Sequence, residues 1–458
     1  MNQREKFSSR LGFILISAGC AIGLGNVYRF PIMVGSYGGA FFVLIYILFL
    51  LLLGLPVMTM ELSVGRASQR SIASSFDVLE KPGQKWHWLK FMGIAGNYLL
   101  MMFYTTISGW MVIYFSKYAD GSIMKYKTPD QLGNEFGKVV QNPTLMALTA
   151  IGVIVVCFGI CSLGLQKGVE RITKWMMIAL FALMIGLAIY SCTLPKAGEG
   201  LEFYLIPNLD GIKQHGLWTV VSAAMGQAFF TLSIGIGSIA IFGSYISKER
   251  SLTGEAVTIL SLDTAVAIIS GLIIFPACFT YSGGVNADAS TVGASFLFTT
   301  LSSIFNSMSA GRIIGALFFI FMIFAALSTV IAVFENIISF WLELTKLSRL
   351  KIALINILLV SALSLPCILG FNLLSGIGIG DRGIMDLEDF AVSNVMLPLG
   401  SLFYLLFCTT RYGWGWKKYF AEVNEGKGLK MPKIMRPYLT YVLPIIILIL
   451  FVASVIKF

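Results

Sequence analysis

The chain has 458 residues, of which 57% are hydrophobic and only 12% are charged, and its formal net charge is +10. Soluble globular domains carry about 25% charged residues, and a soluble protein of this size could not keep so much apolar side chain away from water. The composition therefore excludes a soluble globular protein, a disordered chain and a disulfide scaffold. It predicts an all-α membrane protein.

Apolar stretches recur along the whole chain. A helix needs about 20 apolar residues to cross a hydrocarbon core of about 30 Å, and eleven stretches with few charges meet that length. We number them spans 1 to 11: residues 11–35, 39–65, 90–116, 144–163, 172–194, 217–247, 256–282, 312–342, 351–371, 387–410 and 437–457. Residues 283–311 are rich in Ser, Thr, Asn and Gly, and we interpret them as a long loop with a short helix on the surface.

The Lys and Arg residues indicate the orientation of these spans. Most of them fall on the cytoplasmic side when the N-terminus is placed inside, as the positive-inside rule requires, and an odd number of spans then puts the C-terminus outside. The net positive charge thus reflects this bias and contact with lipid headgroups, and we expect no nucleic-acid partner. The sequence contains no arrangement of a nucleophile and a neighbouring base that would indicate an enzyme.

Two spans carry closely spaced glycines in the middle of an apolar helix. Span 1 reads SAGCAIGLGN over Ser17–Asn26, and span 6 reads FTLSIGIGS over Phe230–Ser238. Paired interruptions of this kind predict an inverted repeat with broken helices 1 and 6. The single domain 1–458 would then contain five-helix repeats at 10–194 and 213–410 and an extra span at 437–457. Close packing of helices through glycine is the alternative, which the intramembrane Asp263 disfavours.

A broken helix exposes N–H groups at one new end and carbonyl groups at the other. The N–H groups attract an anionic group such as a carboxylate, whereas carbonyl oxygens joined by side-chain oxygens suit a hard cation. The candidate side-chain oxygens in the spans belong to Asn26, Thr231, Asp263, Ser328 and Thr329.

Several stretches resemble the neurotransmitter:sodium symporter family. They are RLGFILISAGCAIGLGNVYRFP (Arg10–Pro31), GGAFFVLIYILFLLLLGLPVMTMELSVGR (Gly38–Arg66), LPKAGEGLEFYLIP (Leu194–Pro207), GQAFFTLSIGIGS (Gly226–Ser238) and AALSTVIAVFENIISFWLE (Ala325–Glu343). The resemblance implies a symporter in a bacterial cytoplasmic membrane that couples sodium entry to amino-acid uptake by alternating access. An amino-acid-binding channel or sensor on the same scaffold is the alternative. No protein partner is implied.

The resemblance also implies roles for individual residues. The substrate site would comprise Ala21, Leu24, Gly25, Leu100, Tyr104, Phe230, Thr231, Ser233, Ile236, Thr329 and Val333. The first sodium site would comprise Ala21, Asn26, Thr231 and Asp263, with the substrate carboxylate as a further ligand. The second would comprise Gly19, Ile22, Ala325, Ser328 and Thr329. Arg29 and Asp389 would form an outer gate, and Arg4, Tyr245 and Glu343 an inner one.

Two positions bear on the substrate and on chloride. Family members that carry monoamines have an Asp where this chain has Gly23, so the substrate here must bring its own carboxylate, as an amino acid does. Chloride-dependent members have Asn at the place of Asp263, whose carboxylate would replace chloride here. We therefore expect two sodium ions and no chloride requirement. The substrate-site residues are mostly apolar or aromatic apart from Ser233 and Thr329, so we expect a hydrophobic amino acid.

Overall fold

The computed structural model describes residues 7–284, 296–380 and 382–456. Among these residues, nine helices are long and apolar enough to cross a membrane. They are Ala40–Ser68 (span 2), Trp86–Ala119 (span 3), Pro143–Ser162 (span 4), Leu165–Cys192 (span 5), Leu252–Ser282 (span 7), Gly311–Leu344 (span 8), Arg349–Leu369 (span 9), Ile384–Thr409 (span 10) and Met435–Ile456 (span 11).

The other two spans are interrupted. Span 1 consists of helices Arg10–Ala21 and Gly25–Tyr37, which are bent by 53° and together form a tenth crossing. Span 6 consists of Leu217–Leu232, too short alone for a full crossing, and a short helix at Ala240–Gly243. The prediction of an all-α membrane protein with broken helices 1 and 6 is confirmed. The division into two five-helix repeats stays a prediction.

Short elements connect the spans. The helical ones are Ser75–Leu79, Ser122–Lys125, Pro129–Val140, Ala197–Leu205, Asp210–His215, Leu297–Leu301, Ser302–Ser307 and Trp416–Val423. In the part of the chain that the structure describes, the only strands are Gly378–Ile379 and Arg382–Gly383, which pair antiparallel.

The predicted position of the short helix in residues 283–311 was wrong. Two consecutive helices cover Leu297–Ser307, but they are buried and do not lie on the surface. Phe298 stacks on Phe136 with ring centroids 4.9 Å apart, and it meets the Trp110 ring of span 3 edge-on at 5.8 Å. The large apolar side chains of this segment outweigh its polar composition, because burying each is worth about 1.5–3 kcal/mol. Residues 285–295 lie outside the described residues.

Span 11 packs against spans 2 and 10 at two proline sites. Proline lacks an N–H, so it leaves the carbonyl four residues earlier in the helix without its usual donor. The free carbonyl before Pro56 is that of Leu52, and it accepts a hydrogen bond from the Tyr438 hydroxyl at 2.9 Å. The one before Pro398 is that of Asn394, and it accepts from the Ser454 hydroxyl at 3.4 Å. Span 11 thus supplies donors that lipid cannot supply.

The loop after span 10 is fastened to the end of span 2 by a buried ion pair. Arg66 is fully buried, and its Nε donates to Glu422 at 2.6 Å while its Nη1 donates to the Arg250 carbonyl at 2.7 Å. Lys248 adds contacts to Glu422 at 3.4 Å and to Glu425 at 2.9 Å. The hydrogen bond to Glu425 raises the pKa of the Lys248 ammonium group. We call Arg66, Glu422, Lys248 and Glu425 the inner clamp.

Candidate functional site

The break in span 1 lies at Ile22–Leu24 and brings backbone groups toward span 3. The Leu24 N–H donates to the Tyr104 hydroxyl oxygen at 2.8 Å, and the Gly23 N–H donates to the Asn26 side chain at 3.2 Å. A Cβ atom at Gly23 would overlap the Tyr104 hydroxyl and Thr329 Oγ1. A larger residue here would force the Tyr104 or Thr329 side chain to shift, and the Leu24 N–H at the start of the second half of span 1 is directed at Tyr104.

The break in span 6 covers residues 233–239, where Ser233, Gly235 and Gly237 have φ angles of +49°, +103° and +75°. These left-handed conformations favour glycine. Glu61 of span 2 accepts hydrogen bonds from the N–H groups of Gly235 and Ile239. An intramembrane carboxylate thus replaces the donor–acceptor pairs that the broken helix has lost.

Asn97 of span 3 completes this support. Its side-chain amide donates to the Ile236 carbonyl at 2.9 Å and accepts from Asn336 at 3.1 Å. The sequence had given Glu61 no role and had not singled out Asn97. Polar side chains inside apolar spans were the available signal, because such groups need partners in the membrane.

Side-chain oxygens cluster around Asn26 and Asp263. The Asn26 amide donates to the Asp263 carboxylate at 2.9 Å and to the Asp263 carbonyl at 3.0 Å. Asp263 is fully buried, and its Oδ2 atom makes no hydrogen bond. The same holds for Thr231 Oγ1, which is also buried. Two buried oxygen acceptors beside an amide carbonyl form a donor set suited to a hard cation.

A second oxygen cluster lies where span 1 meets span 8. The Ser328 hydroxyl lies 3.3 Å from the Ile22 carbonyl and 2.9 Å from the Ala325 carbonyl. The Thr329 hydroxyl lies 3.2 Å from the Gly19 carbonyl and 3.3 Å from that of Ile22. All five oxygens predicted for the second sodium site therefore converge, and all five residues are buried.

A small cavity of about 10 Å³ lies between the two clusters. Its lining residues are Ala21, Gly23, Gly25, Leu100, Tyr104, Phe230, Ser233, Thr329 and Leu397. Of the predicted substrate residues, four do not line it in this conformation: Leu24, Thr231, Ile236 and Val333. Ile236 packs toward Gly96, whose missing side chain leaves the space. Leu397 was not predicted, because one Leu among the many in span 10 gives no sequence signal.

An ion pair closes one end of this cavity. Arg29 contacts Asp389 at 3.3 Å, and Ser393 bridges the two by accepting from Arg29 at 3.2 Å and donating to Asp389 at 2.6 Å. The Arg29 guanidinium also lies 4.4 Å from the centre of the Phe230 ring. The structure thus brings the predicted outer pair together above the cavity.

A polar network and an aromatic cluster lie outside this cavity, where Phe7 and Tyr245 line a separate pocket. The Tyr245 hydroxyl donates to Glu335 at 2.9 Å and lies 2.8 Å from the Ser339 hydroxyl, and Arg349 forms an ion pair with Glu335. The Phe7 ring meets Tyr245 edge-on at 5.7 Å.

Glu343 of the predicted inner gate lies at the loop after span 2. It accepts hydrogen bonds from the Ser71 N–H and the Ser74 hydroxyl, both at 2.7 Å. Arg4 lies outside the described residues. The Glu335–Arg349 pair at this face was not predicted, because an ion pair across 14 residues and a helix break has no local spacing rule.

Comparisons with known proteins identify what this chain is similar to. The profile of the Sodium:neurotransmitter symporter family matches residues 4–127 and 118–458. The uncharacterized sodium-dependent transporter YhdH of Bacillus subtilis (strain 168) is 31% identical over 448 residues, which cover 97% of this chain and 96% of that protein. An uncharacterized sodium-dependent transporter of Haemophilus influenzae is 31% identical over 461 residues, which cover 99% of this chain and 98% of that protein. The crystal structure of MhsT in complex with L-phenylalanine superposes with a TM-score of 0.87 at 37% identity, covering 99% of this chain and 100% of MhsT.

Proposed function

The chain belongs to the sodium:neurotransmitter symporter family, and we propose that it couples sodium entry to the uptake of an amino acid by alternating access. One observation carries this proposal: the two broken helices border a single cavity that lies between two clusters of buried oxygen atoms. The N-terminal end of a half-helix on one side and cation-suited oxygens on the other would suit a zwitterion together with metal ions.

The substrate carboxylate would bind at the break in span 1. The Leu24 N–H and the Tyr104 hydroxyl already form a hydrogen bond with each other at 2.8 Å, so both could turn to one anionic oxygen. The Gly25 N–H lies at the start of the second half of span 1, where the helix dipole also favours negative charge. Because Gly23 leaves no acidic side chain here, the carboxylate must come from the substrate.

Two sodium ions would occupy the two oxygen clusters. Asn26, Thr231 and Asp263 would bind the first ion together with the substrate carboxylate, and Ser328, Thr329 and three carbonyls would bind the second. The two positive charges of the sodium ions would balance the negative charges of the substrate carboxylate and an ionised Asp263. The carbonyl dipoles of the broken helices would face the substrate ammonium group. No chloride is needed for this balance.

Alternating access requires closure on both sides of the substrate. The Arg29–Asp389 pair would close one side, and the cluster of Phe7, Tyr245, Glu335 and Arg349 would close the other. A channel needs only one gate, so two closed ends favour a transporter over a channel or sensor. We place the protein in the bacterial cytoplasmic membrane with the N-terminus inside and the C-terminus outside.

Sodium gradients of ordinary size supply enough free energy to accumulate an amino acid. One cation moving through 100 mV gains about 2.3 kcal/mol, and a tenfold gradient adds about 1.4 kcal/mol. Two ions together supply roughly 7 kcal/mol, which allows about 10⁵-fold accumulation of a neutral zwitterion.

The substrate side chain would be hydrophobic. Leu100, Phe230 and Leu397 contribute most of the apolar lining, and Ser233 and Thr329 are the polar exceptions. The solved structure of MhsT contains L-phenylalanine, which supports an apolar amino acid for this chain as well. A thermal-shift screen of the twenty amino acids in sodium would identify it.

Sodium-driven uptake by proteoliposomes tests the proposal. We expect an imposed inward sodium gradient to drive uptake of the amino acid that gives the largest thermal shift, and an equal choline gradient to drive none. Substrate binding should also require sodium, because substrate and first ion share the carboxylate and each must raise the affinity of the other by the same factor. Equal substrate affinity in sodium and choline contradicts the proposal, and conductance without accumulation would indicate a channel.

A further inference from the structure

An apolar groove of about 290 Å³ lies between spans 8 and 9, next to the loop that joins them. Its apolar wall is formed by Trp341 of span 8, Leu347 of the loop, and Ile352, Ile355 and Leu359 of span 9. From Ile352 to Leu359 the groove follows span 9 for about 10 Å, at a rise of 1.5 Å per residue. Ile355 is 51% exposed, and an exposed apolar side chain on a membrane span faces lipid. The groove therefore opens toward the bilayer.

The polar side chains of the groove wall are hydrogen-bonded within the protein. The Thr345 hydroxyl donates to the Trp341 carbonyl at 2.6 Å, and the Trp341 indole N–H donates to the Tyr98 hydroxyl oxygen at 2.8 Å. The Tyr98 hydroxyl donates to the Asn356 side chain, whose amide donates to the Ile352 carbonyl at 2.9 Å. A molecule in the groove thus meets mainly van der Waals surface, which suits a hydrocarbon chain.

The end of the groove at the loop is positively charged. Residues 344–360 contain Lys346, Arg349 and Lys351 and no acidic residue. Arg349 is already engaged, because it pairs with Glu335 and donates to the Cys161 carbonyl at 2.7 Å. Lys346 and Lys351 are exposed, and neither ammonium group forms an ion pair with a described residue. Two lysine charges therefore remain available to a ligand.

The two lysines lie at the headgroup end of the groove. Lys351, Ile355 and Leu359 follow one another at intervals of four residues, which places them on one face of span 9. Lys346 directly precedes Leu347 of the groove wall. A lysine can lay its carbon stem along apolar surface and hold its ammonium group at the level of the lipid headgroups. The groove thus combines a hydrocarbon-binding wall with two cations at one end.

We propose that this groove binds an anionic phospholipid, with an acyl chain between spans 8 and 9 and the headgroup at Lys346 and Lys351. A zwitterionic lipid brings a cation of its own, so two unpaired lysines favour a lipid with a net negative charge. Each lysine near anionic lipid raises binding about fivefold. The pair should give a preference of roughly 25-fold over a zwitterionic lipid with the same chains. This proposal requires only a membrane-embedded chain and is independent of the proposed transport function.

Quenching of Trp341 fluorescence by brominated lipid tests the site. The full chain is reconstituted in phosphatidylcholine vesicles that contain a rising fraction of phosphatidylglycerol or phosphatidylcholine brominated near the headgroup end of the acyl chains. The Trp341 signal is the difference between the parent and Trp341→Phe in the same vesicles. We expect brominated phosphatidylglycerol to bind with a relative constant roughly 25 times that of brominated phosphatidylcholine. If Trp341→Phe fails to fold, Ile355→Trp supplies a second reporter, and the signal is its difference from the parent.

Substitution of the lysines tests the headgroup contact. Lys346→Gln and Lys351→Gln should each reduce the preference to about fivefold, and the double variant should show almost none. The matched control is Lys417→Gln together with Lys418→Gln. These two lysines are also exposed, but they lie on the helix Trp416–Val423 after span 10. The control should keep the preference of the parent.

Three results would overturn the proposal. Equal quenching by the two brominated lipids in the parent means that the groove holds lipid without selection. A preference that survives in the Lys346→Gln, Lys351→Gln double variant means that these lysines do not hold the headgroup. Absence of Trp341 quenching by either lipid means that another molecule, such as a second copy of this chain, covers the groove. The measurement uses neither sodium nor amino acid, so the lipid site and the proposed transport function fail separately.

Discussion

At the scale of single residues, the Tyr104 hydroxyl is the clearest contact to test. Tyr104→Phe would remove the proposed hydrogen bond to the charged substrate carboxylate, so we expect a loss of about 1.5–3 kcal/mol in binding. Substrate affinity in sodium, measured by calorimetry, gives this value. Tyr114→Phe is the matched control on the same helix, because the Tyr114 hydroxyl is buried without a hydrogen-bond partner. Normal binding by Tyr104→Phe would mean that the carboxylate lies elsewhere.

The proposed charge balance gives Asp263 the role that chloride would otherwise have. We expect uptake by the unmodified protein to be unchanged when gluconate replaces chloride, since in that proposal the Asp263 carboxylate supplies the negative charge beside the first ion. Asp263→Asn keeps the size of the side chain and removes the charge, so uptake should be lost or become partly chloride-dependent. Initial uptake rates in the two anions measure both effects. A chloride requirement in the unmodified protein, or chloride-independent activity in the variant, contradicts the charge balance.

At the scale of helices, the contribution of span 11 can be measured. Tyr438→Phe leaves the Leu52 carbonyl before Pro56 without its donor. Hydrogen bonds between membrane helices average about 0.6 kcal/mol and reach about 1.7 kcal/mol, so we expect a fall in thermal stability of that order. Tyr441→Phe is the control, since Tyr441 is 68% exposed on the same helix. If the two variants have the same melting temperature, the Tyr438 hydrogen bond contributes nothing to stability.

The helices themselves were largely predictable, because membrane-spanning length and apolar composition are local properties. The glycines at Gly23, Gly235 and Gly237 also marked the breaks before the structure placed them. The partners that support the breaks were not predictable in the same way. Glu61 and Gly235 lie 174 residues apart, and nothing in either local sequence specifies that contact. For the same reason, the local sequence did not predict that Leu397 lines the cavity or that the helices at Leu297–Ser307 are buried.

At the scale of the whole molecule, the outer ion pair should act in conformational change more than in binding. Arg29→Gln and Asp389→Asn should each slow uptake more than they weaken equilibrium substrate binding, because as a gate the pair would form mainly in closed conformations. Residues in contact give non-additive effects in a double-mutant cycle, so the double variant should be little slower than either single one. Asp210→Asn, which breaks an exposed pair with Lys213, serves as the control and should change little. Simple additivity of the two gate substitutions would count against this coupling.

The inner clamp has a consequence for how the protein is made. Arg66 and Glu422 are separated by 356 residues, and the ribosome adds about 5–20 residues per second, so the arginine waits roughly 20–70 s for its partner. Burying an unpaired arginine costs several kcal/mol of free energy. Its guanidinium must therefore stay among water and headgroups until the tenth span and the following loop have been synthesised. Final docking of the second span is thus postponed to the last stage of membrane insertion. Nascent chains arrested before residue 422 should leave the inner end of that span open to protease, and release of the full chain should protect it.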